Sequence, residues 1–323
     1  MQTKENYKIL SSVLIFISFS SLFLGYYLDE NSAGAGSYTG DITIIWKNLQ
    51  IFLANDMASS LEHQDYYDSR TPLAYIFHEI FNPFLENITS YRRSVFVISL
   101  TLPILFYFCL RQKFKYEDNL LLLLIASIVC LSPYYRTSAY WGLEENYGLI
   151  FLLLSFLSLN IFLRTKNYNR IKEHLFLFLS TFCSSCCLYF DQKLIIIPMI
   201  CFVSIMLSTK LIKFKFLSIF YYILFAIPYV YLIILWGGLI PTALLEGRKL
   251  GNEIFIIHIG YASTIIAFYL LPLLLFKDKD VMNLVKNFFL NKKNYYLISL
   301  IVIYLIYLIG FYNFEQQSII GKG

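Results

Sequence analysis

The chain has 323 residues, of which 58% are hydrophobic, 19% aromatic and only 15% charged, with mean hydropathy +0.61. A soluble domain carries about 25% charged residues, so this composition excludes a water-soluble globular enzyme and a disordered chain, and its long charge-free runs indicate an all-α polytopic membrane protein. The net charge of +5 is shared between two sides of a bilayer and carries no nucleic-acid signal.

Nine segments are apolar enough to cross, at roughly 9–28, 94–110, 119–135, 147–163, 174–190, 193–209, 216–236, 254–276 and 295–314. The first follows the polar start Met1 to Lys8. Its apolar stretch exceeds the roughly 7–15 residues of a secretory signal, so it reads as an uncleaved anchor. With the N-terminus in the cytoplasm, the inner segments are 1–8, 111–118, 164–173, 210–215 and 277–294. They hold 17 of the 26 Lys and Arg but 6 of the 21 Asp and Glu, which fixes the orientation. These segments are too short for a βαβ unit of about 30 residues, and no phosphate-binding glycine motif occurs. Chemistry is therefore expected on the periplasmic or lumenal face, in the long outer loop 29–93 of a single transmembrane domain spanning 1–323.

That loop opens on Asp29-Glu30. A carboxylate pair at the end of an anchored helix suits a general base; a solvated helix end is the plainer reading. The pair also offers oxygen ligands to Mg²⁺ or Mn²⁺, although its spacing does not require a metal. Residues 41–56 place Ile42, Ile45, Trp46, Leu49, Phe52 and Leu53 at helical spacing, predicting an interfacial helix. A polar stretch with His63, Asp65, Asp68 and Arg70 follows. Pro72 then starts a second interfacial helix with Leu73, Ile76, Phe77, Ile80 and Phe81 on one face, and Pro83 ends it. The second outer loop, 133–148, carries Arg136, Tyr140, Trp141, Glu144 and Glu145. Its aromatics are expected as interface anchors, and its two adjacent carboxylates are the more suggestive feature.

The third outer loop is the short turn Tyr189 to Lys193, including Gln192. The fourth is Gly247 to Glu253, with Arg248 and Lys249. That basic pair suits a departing phosphate or a snorkelling helix end. His258 is the one ionisable side chain well inside a span, either functional or an interhelical hydrogen bond. Cys183, Cys186 and Cys187 lie mid-span, where with Ser184 and Ser185 they favour close helix packing over metal or redox chemistry. Asn87-Ile88-Thr89 is a glycosylation sequon if the source is eukaryotic. Segment 277–294 reads as a basic surface helix on anionic lipid.

An inward N-terminus, then an outer loop that begins with an acid and holds two interface helices, resembles the GT-C class of membrane glycosyltransferases. Tyr27-Leu28-Asp29-Glu30 resembles the Tyr-x-Asp-Glu of the dolichyl-phosphate-glucose α-1,2-glucosyltransferase family, and Asp68 to Tyr75 is similar to its Thr-Pro-Pro-Gly-Leu-Tyr segment. Tyr140 to Glu144 matches its Tyr-Tyr-Thr-Asp loosely. Asp191-Gln192 falls in its Phe-Arg-Gln turn with Asp replacing Arg, and Gly247 to His258 is similar to its Gly-Asp-Lys-Ser-x-His segment, with Arg248 replacing Asp. The resemblance implies a GT-C-like bundle of about nine transmembrane helices and transfer of a hexose, glucose in that family, from a polyprenyl-phosphate donor to a glycan or lipid-linked acceptor. It implies Asp29, with Glu30, as catalytic. Asp68, Arg70, Arg136, Glu144, Glu145 and Gln192 bind substrate, and Arg248, Lys249, Lys193 and His258 attend the donor phosphate. Family members generally have more spans, which implies a truncated end or a short bacterial relative. The alternative is a transporter or flippase for a lipid-linked glycan; spans almost free of charge and without an internal repeat argue against it. A non-catalytic assembly subunit is the third reading.

Overall fold

A computed structural model describes residues 2–31, 38–68, 70–165, 170–208, 211–238 and 241, with isolated helical positions between 295 and 306. The chain divides into two units, Met1–Lys249 and Leu250–Gly323; the first holds nearly all described residues. Among these there are helices and no strands. In order they are α1 (Gln2–Tyr27), α2 (Asp41–Ala54), α3 (Met57–Leu61), α4 (Leu73–Phe81), α5 (Ile88–Ser99), α6 (Thr101–Lys113), α7 (Asn119–Ser127), α8 (Pro133–Tyr140), α9 (Glu145–Arg164), α10 (Arg170–Phe190), α11 (Ile196–Ser208) and α12 (Ile212–Trp236). Single 3₁₀ turns, Ile128–Leu131 and Gln192–Ile195, lead into α8 and α11.

Five helices among the described residues are long and apolar enough to cross a bilayer: Asn6–Tyr27, Ile88–Lys113 (α5 running into α6), Glu145–Arg164, Arg170–Phe190 and Ile212–Trp236. The expected span 119–135 is not one straight helix. Asn119–Leu131 and Pro133–Tyr140 meet at 66°, because Pro133 drives Ser132 to an extended ψ of 123°. The expected span 193–209 is the shorter apolar helix Gln192–Ser208. The expected span 254–276, and most of 295–314, lie outside the described residues.

The first unit has two distinct ends. At one, Arg164 Nη1 donates to Gln112 Oε1 at 3.2 Å, Phe214 packs on Phe162 and His174, and Lys8 shares a hollow with Asp118 and Asn119. This end gathers Lys8, Arg111, Lys113, Lys115, Arg164 and Lys213. At the other, Trp236 Nε1 donates to the Leu61 carbonyl at 3.2 Å and the Thr71 hydroxyl to the Tyr189 carbonyl. The helix ends carrying residues 29, 145 and 191 meet here.

The segment expected as a solvent-facing second outer loop is the centre of this end. Tyr135 to Glu144 are all buried. Tyr140 and Trp141, expected as interface anchors, are 0% and 3% exposed. Burial is possible because their polar tips are satisfied: Tyr140 OH donates to the Leu22 carbonyl at 2.7 Å and Trp141 Nε1 to the Glu30 carbonyl at 2.9 Å. The turn from α8 into α9 depends on Gly142, whose φ is 69° and whose carbonyl accepts from Tyr91 OH at 2.8 Å. A Cβ there would lie 2.7 Å from the Tyr91 ring. Gly142→Ala is expected to cost about 1–3 kcal/mol, read as a lower thermal midpoint in detergent.

Helix α2 buries Ile42, Ile45, Leu49 and Phe52 as its spacing predicts, with Trp46 partly covered and Leu53 exposed. It also buries Asn48, whose amide brackets the Tyr67 backbone (Nδ2 to O at 3.0 Å, N to Oδ1 at 3.1 Å). Helix α4 forms between Pro72 and Pro83 as expected. Its buried face is Ala74, Tyr75 and His78, while Ile80 and Phe81 are exposed, as is Phe84. Tyr75 turns inward because its hydroxyl finds Asp68 and Asn48, Leu73, Ile76 and Phe77 are partly covered, and Ile80 and Phe81 face out.

Candidate functional site

The sequence-expected polar residues of the first unit form two groups flanking α8. The first is built on the end of α1. Asp29 has φ 52°, a left-handed conformation that Asp and Asn tolerate better than other non-glycine residues. Its side chain is 52% exposed and pairs with Arg92 Nη1 at 2.6 Å. Arg92 is itself buried. Its guanidinium lies 4.3 Å from the Trp141 ring centroid and 4.9 Å from that of Tyr26. It donates to the carbonyls of Tyr140 and Tyr26 and to Tyr38 OH. The cation is thus held rigidly, and Asp29 is its exposed partner.

Glu30 points the other way. Arg136 grips both its oxygens, Nε to Oε1 at 2.9 Å and Nη2 to Oε2. Arg136 also donates to the Ser21 hydroxyl and carbonyl and the Cys130 carbonyl. The Asp29-Glu30 pair, expected as one carboxylate set and a candidate Mg²⁺ or Mn²⁺ ligand pair, is thus divided between two arginines. Among the described residues no group of three or more His, Cys, Asp or Glu is arranged to hold a metal ion. The Arg136–Glu30 pair rests on bare α1 backbone at Gly25, where a Cβ would meet Arg136, Glu30 and Tyr140.

The second group joins four parts of the chain. Arg70 Nη2 donates to Glu145 Oε1 at 2.5 Å, and Ser138 of α8 donates to the other Glu145 oxygen at 3.3 Å. Asp68 accepts from the Arg70 amide at 2.9 Å and from Tyr75 OH. Glu144 is 1% exposed, and neither of its oxygens has a partner of ordinary hydrogen-bond geometry among the described residues. Burial, then the Asp68 charge, push its carboxyl well above the usual range; Arg70 opposes without cancelling them. Burial disfavours the Arg70 cation, but Glu144, Glu145, Asp68 and Asp191 outweigh it and raise its pKa. Asp191, buried, caps the following turn by accepting from the Lys193 amide at 3.0 Å.

Of the expected substrate ligands, Asp68, Arg70, Glu144 and Glu145 thus come together, whereas Arg136 belongs to the Glu30 group. Gln192 is half-buried with Nε2 unpartnered among the described residues, and Lys193 is exposed. Arg248, Lys249 and His258 lie outside the described residues. Sequence reasoning missed Arg92, Gly25, Tyr75, Ser138 and His78.

His78 is buried between Tyr91 and Tyr147. The Phe84 amide donates to Asn82 Oδ1, so Asn82 Nδ2 donates to Ser94 and, at 2.9 Å, meets His78 Nδ1. This relay places the proton of the neutral ring on Nε2. Burial lowers the His78 pKa to about 4. A depressed pKa means that the unfolded state takes up the proton first. Stability should therefore be full above pH 6.5 and fall by about 3 kcal/mol as pH drops to about 4. Thermal unfolding between pH 4 and 7 should show this limb in the native chain and lose it in His78→Gln.

Comparison with protein-family models, with curated proteins and with solved structures found no match.

Proposed function

We propose that this chain is a glycosyltransferase that takes a hexose from a polyprenyl-phosphate donor and places it on a glycan or lipid-linked acceptor. In this reading it is a GT-C-type bundle of about nine spans, its N-terminus is cytoplasmic, α2 and α4 lie in the interface, and the site opens to the periplasm or lumen. One observation carries the proposal: Asp29, Glu30, Asp68, Arg70, Glu144, Glu145 and Asp191 come from four separate parts of the chain and lie in two groups flanking α8, at the end opposite the basic one. The exposed apolar side chains of α4 support its interfacial placement.

In this mechanism Asp29, the carboxylate of the group with the greatest exposure, takes the proton of an acceptor hydroxyl. The oxygen attacks the anomeric carbon in line and forms the new glycosidic bond. The carbon–oxygen bond to the polyprenyl phosphate breaks, and the phosphate leaves with the bonding pair. Direct displacement inverts the anomeric centre. Arg70 with Asp68 and Glu145 orients sugar hydroxyls, and the buried Glu144, expected as a ligand, acts on them through these neighbours. The leaving phosphate needs a cation beside it, the role the resemblance gives Arg248 and Lys249, with Lys193 and His258. The test is purified protein in liposomes with labelled polyprenyl-phosphate hexose and a lipid-linked acceptor. Transfer of label with inversion and release of polyprenyl phosphate is expected. Movement of the label across the bilayer without release would instead establish the transporter reading.

A further inference from the structure

At the end opposite the carboxylates, α6 and α9 border an open groove of about 560 Å³, within the about 300–1,000 Å³ usual for ligand pockets. Its lower part is apolar, with Phe108, Leu157 and Ile161; its rim is Arg111, Gln112 and Lys115. A second hollow shares Lys115 and continues past Lys113 and Tyr116 to Arg164, with Glu117 its one acidic lining residue. Arg111 is fixed rather than loose: Nη1 donates to the carbonyls of Lys115 at 2.8 Å and Glu117 at 3.2 Å. Its Nε and Nη2 have no partner among the described residues. Arg164 is steadied by its bond to Gln112 across the groove. Phe114 and Tyr116 stand exposed beside the lysines, the pairing of aromatic and basic side chains found at a membrane–water boundary.

We infer that this groove binds one anionic phosphoglyceride of the surrounding bilayer, its phosphate against Arg111, Lys115 and Arg164 and an acyl chain along Phe108, Leu157 and Ile161. The charge selects the occupant. Four cations against one carboxylate attract a phosphate head group, and a fixed guanidinium edge binds phosphate oxygens at little entropic cost. The apolar floor selects an amphiphile over a free anion. The site is independent of the proposed glycosyl transfer.

The test is native mass spectrometry of the full chain in detergent, titrated with phosphatidylglycerol or phosphatidylcholine. One tightly retained phosphatidylglycerol per chain is expected, with no comparable retention of phosphatidylcholine. Removing two cations in Lys115→Gln/Arg164→Gln should weaken retention about thirtyfold. Filling the floor in Leu157→Trp should weaken it as well, while leaving every charge in place. Because Leu157 is partly packed, the surface double variant supplies the arm that does not risk the fold. Retention unchanged by the double variant overturns the site. Loss in the double variant but not in Leu157→Trp reduces it to diffuse surface attraction and equally overturns the groove. Displacement by inorganic phosphate at equal concentration overturns the lipid assignment.

Discussion

On the proposed transfer reaction, Asp29→Asn is expected to lower turnover by about 10²–10⁴-fold, and to lower the thermal midpoint too, because the buried Arg92 keeps an acceptor but loses its counter-ion. The reasoning rests on what the amide keeps. Asn tolerates the left-handed φ of 52° at this position, and its oxygen still accepts from Arg92, now 2.6 Å from the carboxylate. The capacity to take a proton is lost, and with it the charge opposite the buried Arg92, so kcat should fall while KM of the folded protein stays near its original value. Asp29→Ala adds a backbone cost of about 1–2 kcal/mol and confounds the two effects. Glu30→Gln should lower stability without removing the base. It breaks the bidentate pair and leaves Arg136, 8% exposed, as a charge without its counter-ion, so the thermal midpoint falls. Full turnover in Asp29→Asn removes this residue as the base. Full stability with lost turnover in Glu30→Gln transfers that role to Glu30.

The contrast between these neighbours was not legible in the sequence, which presents them as one acidic pair. Their partners sit 63 and 106 positions away, on α5 and α8, and no local pattern announces them. Arg92 left a signal that was not used: an arginine just before a span, on the side expected to be poor in cations. The spans α1, α9, α10 and α12 were legible because uninterrupted apolar runs dominate helix formation in a bilayer. The bend before α8 was written as Ser132-Pro133 but masked by the apolar run around it. Segment 135–148 misled most. Its arginine, acids and aromatics read as a watered loop, whereas Tyr135, Arg136, Tyr140 and Trp141 find partners elsewhere in the chain and residues 135–144 are buried. Asp191 read as a departure from the family's arginine; in the structure it belongs to the carboxylates around Arg70. Tertiary pairing decides burial here, and pairing is a long-range property.

Arg70→Gln is expected to be the most destabilising single change at the site, by about 3 kcal/mol at neutral pH. Arg70 and Glu145 are both less than one-quarter exposed, so water screens their attraction only in part. Removing the cation leaves Asp68, Glu145 and the buried Asp191 without their common counter-charge, beside a Glu144 already driven toward its neutral form. The loss should depend on pH in a defined direction. Burial and Asp68 raise the Glu144 pKa in the folded state, so the folded chain keeps a proton that the unfolded chain releases; this contribution is full at low pH and is lost as pH rises through the folded pKa. Without Arg70 the one charge that opposes this rise is gone, so the Glu144 shift grows. The destabilisation should then be smaller at pH 5 than at pH 8, as read from thermal midpoints in detergent. A loss due only to missing packing would be the same at both. The double variant Arg70→Gln/Glu145→Gln removes the cation together with its direct partner and should recover about 1 kcal/mol of the loss. No recovery, with a pH-independent loss, would mean that Arg70 acts here as a packed side chain and not as the counter-ion that lets four acids share one helix end.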